Sequence, residues 1–311
     1  MKKNLILLLL LSIGIQAQKR YAVDTTYTPK SVYNKEIKKY PFISIVQPKH
    51  YTNIQEKKEI VYSKISDRKL RLDAYFCNTF AKNPAIVILH GGGWKSGNKS
   101  QMEIFAQEMA SKGFSCFTIE YRLSPEAKYP AAIFDVKKAI RYIKTNAAKF
   151  HADPNKIAIL GCSSGGQMAA LIGTTNNNSL FEEKDANNKA TSAVQAIVDI
   201  DGILAFKHPE SIEGTVAGLW LGGSYEEKPE IWEQASALNH TDNNTPPTLF
   251  INSSIDRFHA GRNDMIDILN KNGIYNETKT IPNSPHSFWF LNPWFDETIT
   301  YTADFLNKIF K

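Results

Sequence analysis

From residue 84 onward the chain alternates short apolar runs with segments of helical length, and this alternation limits the possible folds more than any other feature of the sequence. Strands that alternate with helices form a mostly parallel sheet with helices on both faces. The sequence therefore predicts an α/β fold. The apolar runs are PAIVIL, FSCFTIEY, KIAIL, QAIVDID and TLFIN, and the segments with helical periodicity are QMEIFAQEMASKG, PAAIFDVKKAIRYIKTNAA and RNDMIDILNKNG.

The rest of the chain is predicted to extend this sheet and to cover part of it. The runs EIVYSKI and KLRLDAYF flank a polar turn at residues 66–68, which predicts an antiparallel pair at one edge. Residues 18–57 show no clean period and are predicted to form an extended arm against the body. Residues 205–247 form an insertion between two strands that is long enough for a small lid. No linker or repeat divides the chain, so residues 18–311 are predicted to form one domain.

The first residues, MKKNLILLLLLSIGIQAQ, have the three parts of a secretory signal peptide. Lys2 and Lys3 precede an apolar stretch from Leu5 to Ile15, and the small residue Ala17 follows it. The apolar stretch is shorter than the about 20 residues that span a bilayer. We therefore expect residues 1–17 to be removed and the protein to be exported, either to the periplasm or fully secreted, without stable membrane insertion.

The charge and the cysteine content exclude several classes of protein. The formal net charge is +6, but the lysines are scattered rather than clustered, which argues against nucleic-acid binding. A mild positive field could instead recruit an acidic polysaccharide. Three cysteines allow at most one internal disulfide, so stability must come from the core. No Cys or His cluster has metal-ligand spacing, so no metal site is expected.

The stretch KIAILGCSSGGQMAALIG, residues 156–173, places Gly161-Cys162-Ser163-Ser164-Gly165 between a predicted strand and a predicted helix. This arrangement is typical of the nucleophile elbow, G-x-S-x-G, in which a tight turn lifts the central serine above the sheet. Flanking side chains would collide in such a turn, so glycine is needed on both sides. The sequence therefore predicts Ser163 as a nucleophile.

A second glycine-rich segment, His90-Gly91-Gly92-Gly93-Trp94, follows the run PAIVIL. Three glycines allow the main chain to approach a reacting carbonyl closely. The backbone N–H groups of Gly92 and Gly93, with that of Ser164, are predicted to form an oxyanion hole. A phosphate-binding loop is the alternative, but its Lys-Ser/Thr ending is missing. His90 is predicted to brace the loop rather than to react.

These motifs, with YRLSPEAKYPAAIFDVKKAIRYI at residues 121–143, resemble those of the α/β-hydrolase esterases. The resemblance extends from about residue 58 to the C-terminus. It is to the hormone-sensitive-lipase-like branch and, more closely, to the bacterial acetylxylan and feruloyl esterases. Relatives usually have acidic and alanine residues beside the serine, whereas this chain has Cys162 and Ser164, which affects the substrate assignment more than the mechanism.

In this fold a histidine base and an orienting carboxylate follow the serine along the chain. Asp256 follows the next-to-last strand, where the resemblance also places the acid. Asp264 and then Asp201 are the alternatives. His286, directly after the last predicted strand, is the predicted base, and His259 is predicted to line the pocket.

Aromatic residues are frequent in the same predicted loops, and flat indole rings stack on sugar faces. Trp94 and Trp289 are predicted to contact substrate, whereas most of the other aromatic residues are predicted to pack. Arg122 and Asp135 are predicted to form a structural ion pair.

The resemblance implies a cofactor-independent serine esterase that removes short acyl groups, most simply acetyl, from plant cell-wall polysaccharides or oligosaccharides through an acyl-enzyme. Three alternatives stay open. They are a feruloyl esterase, a peptidase or amidase of the same fold, and an inactive protein that only binds carbohydrate.

Overall fold

The computed structural model describes residues 24, 26–77, 82–176, 178–183, 190–212 and 214–311. The predicted signal peptide, residues 1–17, lies outside the described residues. In the part of the chain that is described, no helix combines the length and the apolar character needed to cross a bilayer.

An eight-stranded sheet forms the centre of the molecule. Two antiparallel strands, β2 and β3, form one edge, and six parallel strands follow in the order β5-β4-β6-β7-β8-β9. A separate small sheet pairs β1 with β10. The strands are β1 (Ser44–Ile45), β2 (Ile54–Ile65), β3 (Arg68–Cys77), β4 (Asn83–Leu89), β5 (Ser115–Ile119), β6 (Ala152–Cys162), β7 (Ala196–Ile200), β8 (Thr248–Asn252), β9 (Asn276–Thr280) and β10 (Leu291–Asn292).

Helices cover both faces of this sheet. The core consists of two apolar clusters, one on each face of the sheet. Helices α3, α4 and α7 pack into one cluster, and α1, α2 and α8 pack into the other. The helices are α1 (Pro29–Glu36), α2 (Glu103–Ser111), α3 (Ala131–Thr145), α4 (Ser164–Thr174), α5 (Gly214–Leu221), α6 (Pro229–Gln234), α7 (Arg262–Lys271) and α8 (Trp294–Ile309). This architecture confirms the predicted α/β class.

The burial of each strand follows from its place in the sheet. Every residue of β5, β7 and β8 is buried, because helices cover both of their faces. The edge strands differ: β9 is polar and none of its residues is buried, and the first half of β2 is largely exposed. Continuous apolar runs in the sequence therefore correspond to central strands, as predicted.

The predicted extended arm at residues 18–57 is partly wrong, because residues 29–36 form a helix. Thr28 caps this helix by accepting a hydrogen bond from the backbone N–H of Ser31, and Pro29 occupies its first turn. Val32 is the one buried residue of α1. With so small an apolar face, the helix leaves no periodic pattern in the sequence, which is why the sequence does not reveal it.

Candidate active site

Ser163 occupies the tight turn between β6 and α4. Its backbone has φ 55° and ψ −122°, a strained conformation for a residue with a side chain. A Cβ atom at Gly161 would lie 2.0 Å from the carbonyl oxygen of Gly165, and one at Gly165 would lie 2.4 Å from that of His90. Both positions therefore require glycine, which is the reason for the G-x-S-x-G pattern.

His286 lies in the loop after β9 and contacts Ser163 directly. Its Nε2 atom is 2.8 Å from Ser163 Oγ, and its Nδ1 atom is 2.9 Å from Oδ2 of Asp201. The histidine side chain is 18% exposed, whereas that of Asp201 is fully buried. A serine hydroxyl, an imidazole and a carboxylate are thus joined by two hydrogen bonds, with the carboxylate buried and the serine and histidine partly exposed.

Asp201 follows β7 directly and is held rigidly. Its backbone N–H donates to the carbonyl oxygen of Ile251, and its Oδ1 atom accepts a 2.7 Å hydrogen bond from the backbone N–H of Ser253. One carboxylate oxygen is therefore occupied by the main chain and the other faces the imidazole. Hydrogen bonds of this kind fix the orientation of the carboxylate.

The prediction that Asp256 orients the imidazole is wrong in this structure. Asp256 is 92% exposed, and its nearest basic partner is His259, 3.8 Å from its Oδ1. Asp264, the second alternative, is 56% exposed and accepts a hydrogen bond from His208. The acid that contacts His286 is Asp201, the last of the three alternatives.

The register between two neighbouring strands explains this result. Cys162 of β6 pairs with Ile200 of β7, so the next residues, Ser163 and Asp201, lie side by side at the same edge of the sheet. After β8 the chain forms the short helical segment at residues 256–259, in which the ring of Phe258 stacks on His286 while the side chain of Asp256 is exposed. The run QAIVDID ends in an aspartate, but its register with the serine strand is not visible in the sequence.

The glycine-rich loop after β4 packs against the nucleophile turn. A Cβ atom at Gly91 would lie 2.9 Å from the carbonyl oxygen of Cys162, and Gly92 and Gly93 have φ values of 127° and 59°. Within the described residues, the backbone N–H groups of Gly92, Gly93 and Ser164 have no acceptor. Gly93 and Ser164 line the same cavity as Ser163, which is the placement that an oxyanion hole requires.

His90 supports this loop from beneath. Its ring stacks on that of Tyr121, with centroids 4.5 Å apart, and its Nδ1 atom lies 2.8 Å from the carbonyl oxygen of Gly91. Burial lowers the pKa of His90 to about 4, so the ring is neutral at neutral pH. This placement agrees with a bracing role.

The ion pair predicted between Arg122 and Asp135 is present, with the guanidinium contacting both carboxylate oxygens at 2.8 Å. It anchors the segment that contains Ser124, whose backbone N–H donates to the carbonyl oxygen of Trp94 at 2.7 Å. The glycine-rich loop after β4 is therefore held from this side as well.

A cavity of about 180 Å³ opens beside Ser163. The segment 205–247 contributes to it through Ile212 and Val216, which lies on α5. These two residues, with Phe258 and Arg257, complete a wall that sequence reasoning missed, because nothing in their local pattern indicates which side of the chain faces the serine. The apolar lining residues are Trp94, Ile203, Ile212, Val216 and Phe258.

The three residues predicted to contact substrate have different positions. Trp94 lines the cavity and also stacks on Trp220, with ring centroids 5.0 Å apart. Trp289 is only 1% exposed and lies edge-on against the ring of His286, within the core. His259 is 5% exposed and is not part of the cavity wall. The predictions for Trp289 and His259 are therefore wrong, because tertiary packing places neither side chain in the cavity wall.

The arrangement can support nucleophilic acyl transfer. A base within about 3.2 Å of a hydroxyl and a carboxylate on the far side of that base is the geometry of an activated serine. No group of three or more His, Cys, Asp or Glu side chains in the described ranges has the geometry of a metal site.

Comparisons with known proteins agree with this geometry. The sequence profile of the BD-FAE family matches residues 72–260, more than half of the chain. Esterase LipC of Mycobacterium tuberculosis is 31% identical over 179 residues, which cover 56% of this chain and 44% of LipC. The versiconal hemiacetal acetate esterase of Dothistroma septosporum is 25% identical over 244 residues, which cover 73% of this chain and 72% of that protein. The chain thus spans less than half of the length of LipC.

Solved structures show the same fold. A truncated carbohydrate esterase from the gut microbiota has a TM-score of 0.69 at 25% identity, covering 84% of this chain and 98% of the other. A bifunctional GH43-CE protein of Bacteroides eggerthii has a TM-score of 0.70 at 25% identity, covering 81% of this chain and 38% of the other. With a family profile that covers most of its sheet and a nucleophile turn at the expected place, this chain belongs to the BD-FAE family and has the α/β-hydrolase fold that its sequence motifs predict.

Proposed function

We propose that this protein is a serine carboxylester hydrolase that removes short acyl groups, most simply acetyl, from cell-wall polysaccharides or oligosaccharides. The observation that carries the proposal is the hydrogen-bonded chain from Ser163 Oγ through His286 to Asp201, at 2.8 and 2.9 Å, beside a cavity that backbone N–H groups line. A hydroxyl, an imidazole and backbone N–H groups around one small space support this proposal.

Each residue has a defined step in the proposed reaction. Ser163 Oγ attacks the ester carbonyl carbon while its proton moves to His286 Nε2, and the resulting oxyanion is stabilised by the N–H groups of Gly92, Gly93 and Ser164. His286 then gives the proton to the departing sugar oxygen, which leaves an acyl group on Ser163. Water repeats the attack with His286 as base, and the products are the free acid and the regenerated hydroxyl. Asp201 holds the tautomer that leaves Nε2 free to accept the proton.

The size of the cavity supports a short acyl group. Its volume of about 180 Å³ is below the roughly 300–1,000 Å³ of pockets that accept drug-sized ligands. Ile212 and Val216 close it on one side. An acetyl group fits such a space easily, whereas a feruloyl group needs a longer apolar groove.

The relatives support a carbohydrate ester as substrate. Two of the similar structures are described as a carbohydrate esterase and as a bifunctional protein with a CE part. The acetate esterase of Dothistroma septosporum, which matches over most of both chains, acts on an acetate ester according to its name.

The first test uses p-nitrophenyl esters and a nucleophile variant. Ser163→Ala should lower the rate of p-nitrophenyl acetate hydrolysis by a factor of about 10³ or more, because no other hydroxyl in the described residues contacts His286 Nε2. Ser111→Ala, which removes a hydroxyl on α2 that donates to the carbonyl oxygen of Glu108, is the matched control and should keep full activity. Residual activity of Ser163→Ala near that of the control would place the nucleophile elsewhere.

The second test separates the possible substrates. Activity should fall from acetate to butyrate to octanoate esters, and acetate should be released from acetylated xylan or pectin. Faster cleavage of methyl ferulate than of acetate esters would identify a feruloyl esterase. Cleavage of an amide without cleavage of esters would identify an amidase, and binding of the polysaccharide without any hydrolysis would identify a carbohydrate-binding protein.

We also infer that the protein is exported, on the basis of the signal-peptide pattern in residues 1–17. N-terminal sequencing of the protein from its native host should find a chain that begins close to residue 18. An intact Met1 in the soluble cytoplasmic fraction would contradict export.

A further inference from the structure

Arg257 brings an unused positive charge to the cavity of Ser163. It follows β8, it is exposed, and it contributes to the cavity wall together with Phe258. Its guanidinium carbon lies 4.3 Å from the centroid of the Phe258 ring. This contact holds the head group at the mouth of the cavity, because stacking on an aromatic face restricts the arginine side chain.

No carboxylate in the described part of the chain neutralises this charge. Among the residues that the structure describes, none lies within 4.0 Å of the Arg257 guanidinium as an ion-pair partner or accepts a hydrogen bond from it. The neighbouring Asp256 has its nearest basic group in His259, at 3.8 Å. Asp201 also lines the cavity, but its two oxygens already accept hydrogen bonds from Ser253 and His286. The guanidinium is therefore available to an anion from outside.

The contacts of Phe258 show which part of a substrate Arg257 would meet. The Phe258 ring stacks on the ring of His286, with centroids 3.4 Å apart and planes at 12°. In the proposed reaction His286 passes its proton to the departing sugar oxygen, so the alcohol part of the ester lies next to this histidine. Arg257 contacts the same Phe258 ring, 4.3 Å from its centroid, so its guanidinium lies close to His286 and to the departing oxygen of the proposed reaction.

We propose that Arg257 selects esters whose alcohol part carries a carboxylate, that is, acetylated uronic acid residues of an acidic polysaccharide. The guanidinium fork matches a carboxylate with two parallel N–H···O hydrogen bonds, which a neutral sugar cannot provide. The inference rests on the proposed esterase function and adds the charge of the substrate to it.

The test compares two small substrates that differ in one group: a mono-acetylated methyl glucuronoside and the equally acetylated methyl glucoside. The quantity measured is the ratio of kcat/KM for the charged over the neutral substrate. This ratio should be about ten for the natural protein. A tenfold ratio corresponds to about 1.4 kcal/mol, which is what one charge-assisted hydrogen bond contributes at an exposed site. Arg257→Gln should lower the ratio to about one, and Arg257→Lys, which keeps the charge without the fork, should give an intermediate value.

Two controls make the result specific. Lys128→Gln removes an exposed positive charge that does not line this cavity, so its ratio should match that of the natural protein. Raising the salt concentration should lower the ratio of the natural protein but leave that of Arg257→Gln unchanged, because ions screen an exposed charge pair.

The outcomes separate the inference from the proposed function. Hydrolysis of both substrates with a ratio near one, or with a ratio that Arg257→Gln does not change, would overturn the role of Arg257 and leave the esterase function intact. A preference for p-nitrophenyl succinate over p-nitrophenyl acetate that depends on Arg257 would place the recognised carboxylate on the acyl side and also overturn the inference. Failure to hydrolyse any acetate ester would overturn the proposed function itself.

Discussion

Replacing Asp201 by asparagine should reduce turnover far more than replacing Asp256, although sequence reasoning favours Asp256. Oδ1 of Asp201 accepts a hydrogen bond from the Ser253 N–H, and Oδ2 faces His286 Nδ1. An amide at position 201 would keep its oxygen on Ser253 and turn its NH₂ group toward Nδ1. Nδ1 would then be the acceptor, so the imidazole would carry its proton on Nε2 and could not accept the proton of Ser163.

The opposite rotamer of the amide at position 201 is also unfavourable. It would place the NH₂ group against the backbone N–H of Ser253, leaving two donors facing each other in a fully buried position. Leaving buried donors unpaired costs about 1–3 kcal/mol. Loss of the correct tautomer in a Ser-His-Asp triad lowers kcat about 10⁴-fold, which corresponds to about 5.4 kcal/mol of transition-state free energy. We expect a loss of this size for Asp201→Asn.

The assay is steady-state hydrolysis of p-nitrophenyl acetate, with two matched Asp→Asn controls. Asp256→Asn should change kcat less than about twofold, because Asp256 is 92% exposed and has no contact with His286. Asp199→Asn changes a carboxyl two residues from Asp201. Burial raises the pKa of Asp199 well above its ordinary value, and its Oδ1 atom accepts a 3.0 Å hydrogen bond from the backbone N–H of Gly202, which an asparagine side-chain oxygen can also accept. This variant should keep activity within about threefold.

A loss of 10³-fold or more in Asp256→Asn, with Asp201→Asn within tenfold of the natural protein, would refute the assignment. It would mean that the carboxylate of Asp256, and not only the ring of Phe258, reaches His286 during the reaction. Circular dichroism and a thermal melt of each variant would show whether a loss of activity reflects unfolding.

Three further predictions test the surroundings of the site. Gly165→Ala should lower the free energy of unfolding in urea by at least about 3 kcal/mol, because its Cβ would lie 2.4 Å from the carbonyl oxygen of His90. Gly113→Ala is the control, since its Cβ would meet nothing within 4 Å, and it should cost about 1 kcal/mol. Equal losses in the two variants would contradict the steric argument. Val216→Ala should raise the ratio of butyrate to acetate hydrolysis about tenfold by enlarging the cavity, and Thr215→Ala, outside the cavity wall, should leave that ratio unchanged. Burial lowers the pKa of His90 from 6.5 to about 4, so its neutral form stabilises the fold fully above about pH 6.5 and this contribution is lost as the pH falls toward 4. The natural protein should therefore lose about 2 kcal/mol more than His90→Asn between pH 7 and pH 5, and equal losses in urea titrations would show that His90 does not carry this dependence.

Much of the fold could be predicted from the sequence because its signals are local. The central strands are continuous apolar runs, since helices bury both of their faces, and α2, α3 and α7 have the expected helical period. The short helix α1 was missed because Val32 is its one buried residue. A pattern that depends on burial cannot appear where little is buried.

The nucleophile turn is also a local property. A side chain at Gly161 would collide with the turn itself, and one at Gly165 would collide with the end of the neighbouring strand β4. A short stretch of sequence therefore indicates Ser163. The histidine that contacts it, His286, could be identified because few histidines follow a predicted strand late in the chain.

The acid and the cavity wall depend on contacts between distant segments. Asp201 reaches His286 because β6 and β7 pair with Cys162 opposite Ile200, and the sequence does not contain that register. Packing of the last loop puts Trp289 inside the core, and the fold of segment 205–247 brings Val216 to the serine. The sequence by itself determined which strands and helices form and where the reactive serine stands, because backbone geometry and burial act on neighbouring residues. Only the tertiary structure decided which carboxylate serves the histidine and what surrounds the cavity, because those choices depend on how separate strands align and on which side chains the packed layers leave facing one another.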